Sequence, residues 1–180
     1  MIRFPITLLT VVLLTTACES RKTTDATQTS DTTQRQAPAS GTLTAAAPLS
    51  PRLQALGLTP DHDWQTVNLG DSFATVKAKT QSQPFEQDAR HVGYSTEFDN
   101  LESVDYQYFQ ENGNINRIQV DLYLNTAANV AAYQRDLTTY LTMRYGQPTS
   151  TGKTTTWPAG KAELKDVSKG KDFGLRLVLQ

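Results

Sequence analysis

Asn125–Pro148, NTAANVAAYQRDLTTYLTMRYGQP, decides the fold. Asn125 or Thr126 supplies the side-chain acceptor that the free N–H groups of a helix start require. Val130, Tyr133, Leu137, Tyr140, Leu141 and Arg144 follow at three-and-four spacing, which places them on one helical face. Gly146 permits the left-handed backbone that closes a helix, and Pro148 prevents its resumption. The spacing therefore predicts one long amphipathic helix, which needs a sheet to cover its apolar face.

Strand signals lie on both sides of it. Before it, Val104, Tyr106 and Tyr108 alternate with Asp105 and Gln107, and Ile118, Val120, Leu122 and Leu124 alternate with Gln119, Asp121 and Tyr123. Asn112-Gly113 marks a turn between these runs. A two-residue turn carried straight into both strands would set Gln107 against Ile118 and mix the faces. A three-residue loop that includes Asn114 pairs Tyr108 with Ile118, Tyr106 with Val120 and Val104 with Leu122. A slip of one residue inverts every side chain, so the burial pattern selects this register and predicts a bulge at Gly113 or Asn114.

After the helix, Thr154–Trp157, Lys161–Val167 and Phe173–Leu179 read as three strands, the last two joined through Ser168–Asp172. Ahead of the hairpin, Pro51–Leu58 suggests a helical turn and Trp64–Leu69 a short strand or lead-in. Leu69-Gly70-Asp71-Ser72-Phe73 opens a short helix, capped by Asp71 or Ser72, with Phe73 and Val76 inward. Gln81–Gly93 reads as a loop and Tyr94–Phe98 as a strand. The expected fold class is α+β: a two-layer sandwich, an antiparallel sheet with a long helix and a short helix on one face.

The first 50 residues have a different character. Met1–Ala17 carries Arg3, then the apolar run Phe4–Leu14, too short to span a bilayer, then small residues. This is the pattern of an export signal, assigned to residues 1–17. Glu19–Ser50 is rich in Thr, Ser, Gln, Ala and Pro and has no apolar period, so it cannot bury enough surface to offset ordering entropy. Residues 18–50 are read as an anchor and tether, spanning ~30 Å as a random coil, and residues 51–180 as the α+β domain.

Thr15-Thr16-Ala17-Cys18 resembles a bacterial lipobox, with Thr15 in place of the usual leucine. The resemblance implies that Cys18 receives a diacylglycerol and becomes the new N-terminus, with further acylation such as palmitate giving stable anchoring. Glu19, rather than Asp, implies sorting to the outer membrane in a diderm cell. Leu69-Gly70-Asp71-Ser72 with Val76, Glu111-Asn112-Gly113-Asn114, and Tyr145-Gly146-Gln147-Pro148 followed by Trp157 resemble the head of SmpA/OmlA (BamE-like) outer-membrane lipoproteins. The lactamase-inhibitor fold is a broader relative. The longer second helix and the three strands after it depart from that pattern, and no functional residue is carried over.

Composition excludes several functions. The net charge of −1 favours neither nucleic acid nor an anionic surface. Cys18 is the single cysteine, which leaves no intramolecular disulfide and no thiol catalysis once it is lipidated. Thr151-Gly152-Lys153-Thr154 looks like the end of a phosphate-binding loop, but a helix precedes it and a strand follows, the reverse of what that motif needs. No cofactor motif is present, and metal-ligand spacing is absent.

The remaining chemistry is sparse. His62, between Asp61 and Asp63, and His91, near Asp88, would support a small hydrolase or metal-dependent enzyme only if they met in one cleft. On the outer hairpin face Asp105 faces Asp121, where like charges repel and a cation is a possible guest. Phe109, Arg117 and Tyr123 share that face and are residue types enriched where partners bind, unless the Gln81–Gly93 loop covers them. Glu86–Asp121 holds eight acidic residues and two arginines, against six basic and three acidic in Lys153–Arg176. An apolar cavity lined by Tyr106, Tyr108, Leu137, Leu141 and Leu177 would suit lipid carriage; the same side chains would otherwise fill a core. The sequence thus points to a non-catalytic binding or assembly module of the cell envelope. Its partners would be the membrane, through Cys18, and an envelope protein or a cell-wall or lipid component.

Overall fold

A computed structural model describes residues 49–180. The expected export signal, Cys18 and nearly all of the expected tether lie outside the described residues. In chain order the elements are α1 (Pro51–Ala55), α2 (Phe73–Lys79), β1 (Glu86–Gln87), β2 (His91–Glu97), β3 (Ser103–Glu111), β4 (Asn114–Leu124), α3 (Ala127–Tyr145), β5 (Thr149–Thr151), β6 (Thr154–Thr156), β7 (Ala162–Asp166) and β8 (Phe173–Leu179). All eight strands join one sheet in the order β1-β2-β3-β4-β8-β7-β6-β5, and every pairing is antiparallel. The chain meanders from one edge to the middle, crosses one face as α3, and meanders back from the far edge.

This corrects the expected two-layer sandwich with a long and a short helix on one face. The molecule is a mostly β structure, an eight-stranded antiparallel sheet with one long helix. Two short polar strands are added, β1 inside the expected loop and β5 directly after the helix. The expected short helix forms no helical layer beside α3. In its seven residues only Phe73 and Val76 are buried, too little apolar surface to hold a helix flat on a sheet. It hangs instead from the β3–β4 turn. Gly70 N–H donates to the Ile115 carbonyl at 2.7 Å, Ile115 N–H to Asp71 at 2.8 Å and Phe73 N–H to Gly113 at 2.9 Å. These bonds use the end of β4 that β8, whose pairing begins at Ile118, does not reach. Trp64–Leu69 is no strand; Trp64 and Val67 close a tight turn on each other.

Helix α3 forms where its caps require. The Thr126 hydroxyl accepts from Asn129 N–H at 3.1 Å, and Gly146, at φ +89°, closes the other end by donating to Thr142. The buried carboxylate of Glu102 accepts from the Asn125 N–H and the Asn129 amide, which fixes the helix start to the β2–β3 connection. Val130, Tyr133, Leu137, Tyr140 and Leu141 are buried, as the spacing requires. They pack on β4, β7 and β8, above Val120, Leu164, Leu175 and Leu177. Leu137, Leu141 and Leu177, expected around a lipid cavity, are at most 1% exposed within this core.

The hairpin keeps the expected pairing by another route. Val104 faces Leu122, Tyr106 faces Val120 and Tyr108 faces Ile118. The loop, however, is the two-residue Asn112-Gly113 turn, with φ +52° and +85°, the mirror-image turn that suits strand twist. The face inversion this would impose is cancelled further along. Phe109 pairs with Arg117 while Gln110 pairs with Ile115, so Asn116 is the extra residue. Thr151-Gly152-Lys153-Thr154 is the turn between β5 and β6.

Candidate functional site

Among the described residues, the face of the sheet opposite α3 carries no helix. Its side chains are the alternates to the core: Asp105, Gln107 and Phe109 on β3, Arg117, Gln119, Asp121 and Tyr123 on β4, and Arg176 on β8. The pairing sets Asp105 against Asp121, Phe109 against Arg117, and Asp121 against Arg176. The five outer-face residues singled out in the sequence thus share one surface, in two groups with different neighbours.

The first group is a closed stack. His91, from β2, lies against the Phe109 ring with centroids 5.4 Å apart and planes at 18°. Arg117 lies over the same ring from β4, its guanidinium carbon 3.8 Å from the centroid. Phe109 therefore has both faces occupied and is half-buried, so it is no free platform for a partner. Arg117 sits here rather than beside the aspartates, with its Nε buried and without a hydrogen bond among the described residues. Glu86 and Asp88 flank the His91 imidazole at 3.3 and 3.0 Å. Backbone N–H groups of Arg90 and His91 hold the Asp88 carboxyl below its usual range. The Gln81–Gly93 segment does reach over this corner, since Phe85 covers Gly93, where an added Cβ would meet its ring at 2.7 Å.

The second group is open. Asp121 accepts from Arg176 Nε at 2.6 Å and from the Gln119 amide at 2.9 Å, which offsets its repulsion with Asp105. Tyr123 is 52% exposed, and its phenol is pushed up by burial of the hydroxyl end and by the Asp105 and Asp121 carboxylates. Opposite Tyr123 stands Gly174, where a Cβ would lie 2.8 Å from the Leu122 carbonyl oxygen. A shallow notch of about 160 Å³ is bordered there by Tyr123, Val167, Asp121 and Arg176. Val167, at 41%, is the second exposed apolar wall. Gly174, Val167 and Arg176 are not among the residues singled out in the sequence. An isolated glycine inside the alternating run Phe173–Leu179 was the available signal, because it marks close backbone approach.

The histidines do not converge. His91 lies on the open face. His62 Nδ1 is 2.8 Å from the Thr59 hydroxyl, in a segment bound to α3 through Tyr140, whose hydroxyl lies within reach of the Thr59 and His62 carbonyls. Asp63 acts as a structural clamp, because Arg144 donates to it at 2.7 Å, Tyr145 at 3.0 Å and Leu69 N–H at 2.9 Å. Among the described residues no three His, Cys, Asp or Glu side chains are placed to hold a metal ion.

Compared with protein-family models, with curated proteins and with solved structures, the chain shows no match.

Proposed function

We propose that this chain is a membrane-anchored envelope lipoprotein whose folded head is a non-catalytic binding or assembly module, engaging another envelope protein through the open face of its sheet. The observation that carries the reading is the notch over Gly174. It combines two exposed apolar walls, Tyr123 and Val167, with a charged pair, Asp121–Arg176, at the central β4–β8 pair of the sheet. Aromatic and arginine side chains around a small pocket are the usual anchors of protein interfaces. The likeness of Thr15–Cys18 to a lipobox supplies the anchor. A tether would raise the local concentration of the head near a membrane-bound partner.

A photo-crosslinking residue placed at Tyr123 in intact cells tests this. The expected result is a discrete protein adduct with the anchored chain, weakened by Arg176→Glu and by Cys18→Ala. No adduct at Tyr123, or the same adducts from a probe at the exposed Met143 of α3, would overturn the reading.

A further inference from the structure

A second cavity, of about 330 Å³, lies on the other side of the sheet, between α2 and the Trp64–Val67 turn. Its size falls in the range of small-molecule sites, roughly 300–1,000 Å³. Six hydroxyls border it: Thr66, Ser72, Thr75, Thr80, Ser82 and Tyr106. Gln65 adds an amide, and Val67 and Val76 add apolar wall. The only charged groups are Asp71 and Lys79, one of each sign. Asp71 is already engaged, accepting from Asn68 N–H at 2.8 Å.

Two of these hydroxyls are available, Ser72 and Tyr106, while Thr80 is engaged, donating to the Val76 carbonyl at 3.0 Å. Ser72 occupies the N-cap of α2, yet its side chain makes no capping bond. Tyr106, 4% exposed, borders the cavity, and its hydroxyl is bonded to no other described side chain. The hydroxyl is the one polar side-chain atom this buried residue can offer to the cavity it borders. Its neighbours Tyr94 and Tyr108, with ring centroids 5.7 and 5.8 Å away, do not satisfy it, because the described side-chain hydrogen bonds include neither. A hydroxyl at a cavity wall that bonds to no other described side chain is free to donate to and accept from a guest.

We propose that this cavity binds a neutral polyhydroxylated ligand, a short saccharide. Hydroxyls and an amide both donate and accept, which matches the alternating donors and acceptors of a sugar ring. A phosphate or carboxylate ligand would need a cationic site, and here the one lysine of the lining is matched by one carboxylate. The apolar walls suit the C–H faces of a pyranose, and the volume suits one or two rings. The site is separate from the Tyr123 notch, so either assignment can fail without the other.

Saturation-transfer NMR on the full-length chain provides the test. The probes are neutral disaccharides of glucose, galactose, mannose and N-acetylglucosamine, with glycylglycine as a zwitterionic control. At least one disaccharide is expected to bind, with affinity lowered about tenfold by Tyr106→Phe and similarly by Thr75→Val. Thr75 is exposed on α2, so its variant folds even if the tyrosine cluster is disturbed, and Tyr123→Ala leaves binding unchanged. Absence of binding by every disaccharide, binding indifferent to both cavity substitutions, or preference for glycylglycine would each overturn the proposal.

Discussion

The two halves of the sheet are built alike and covered differently. Each is a four-stranded antiparallel meander preceded by a helix. In the second half the inner face is aliphatic, Ala162, Leu164, Leu175, Leu177 and Leu179, and the 19 residues of α3 seal it, leaving each at most 1% exposed. In the first half the inner face of β2 and β3 is largely tyrosine, Tyr94, Tyr106 and Tyr108, beside the seven-residue α2. A leucine under a long helix leaves neither space nor polar atom. A tyrosine beside a short helix brings a hydroxyl that must find a partner, and the short cover leaves a cavity next to it. One half is closed and the other leaves polar side chains bordering a cavity.

The sharpest way to break this comparison is to remove volume from each half. Leu137→Ala, at the fully buried centre of α3, is expected to cost about 2–5 kcal/mol, because its site cannot collapse. Val76→Ala on α2 is expected to cost about 1–2 kcal/mol, since it borders a space that already exists. Chemical denaturation compares them. Equal losses would mean that α2 is as much a part of the core as α3.

The joint between the segment before α2 and the end of α3 is the next test. Asp63→Asn keeps the size of the side chain but removes the charge facing Arg144, with side chains 13% and 22% exposed respectively. The expected loss is about 1–3 kcal/mol. The same contact sets a pH dependence. Burial first, and then the Asp63 carboxylate, push Tyr145 up to about 12, against about 10 in an unfolded chain. The folded state thus favours the neutral phenol. That contribution is complete below pH 10 and is lost as pH rises toward 12. Thermal midpoints measured across this interval should fall, and fall less steeply in Asp63→Asn. The slope should persist in part, because burial is the larger cause.

Two glycines probe the open face. At Gly174 a Cβ meets backbone, the Leu122 carbonyl, and strands β4 and β8 must separate to admit it. At Gly93 it meets the ring end of Phe85, a half-exposed side chain that can swing away. Gly174→Ala is therefore expected to cost about 1–3 kcal/mol, and Gly93→Ala less than half of that. The order of the two denaturation midpoints decides it.

How much of this was legible follows from which contacts are local. The caps and face of α3, and the hairpin pairing of Tyr106 with Val120, are written in neighbouring residues, and both formed. The route to that pairing was not. Turn chemistry at Asn112-Gly113 and the burial pattern conflict locally, and the chain satisfies both by a bulge at Asn116, which only the finished sheet can select. β5 and β1 were missed because edge strands of two or three polar residues carry no alternation. Whether Phe109 is exposed or covered by Gln81–Gly93 stayed open, because its two covers, His91 from β2 and Arg117 from β4, depend on a register set by tertiary pairing. Tyr123 needed no such information, since its neighbours across the sheet are Ser103 and Gly174, both too small to cover it.

The smallest expected effect is the most discriminating. Tyr106→Phe removes one oxygen from a residue 4% exposed. If the hydroxyl held the fold together through a protein partner, its loss would cost about 1–3 kcal/mol by stranding that partner. The described residues supply none, so stability is expected to change by less than about 0.5 kcal/mol. Tyr108→Phe makes a parallel control in the same cluster, since burial, with the neighbouring tyrosines, drives the Tyr108 ionisation up and keeps that phenol neutral. A folded state indifferent to the Tyr106 hydroxyl, with a ligand that is not, would separate the two halves by purpose as well as by packing. A folded state that depends on it would make the tyrosine cluster a core of another composition, as closed as the leucines under α3.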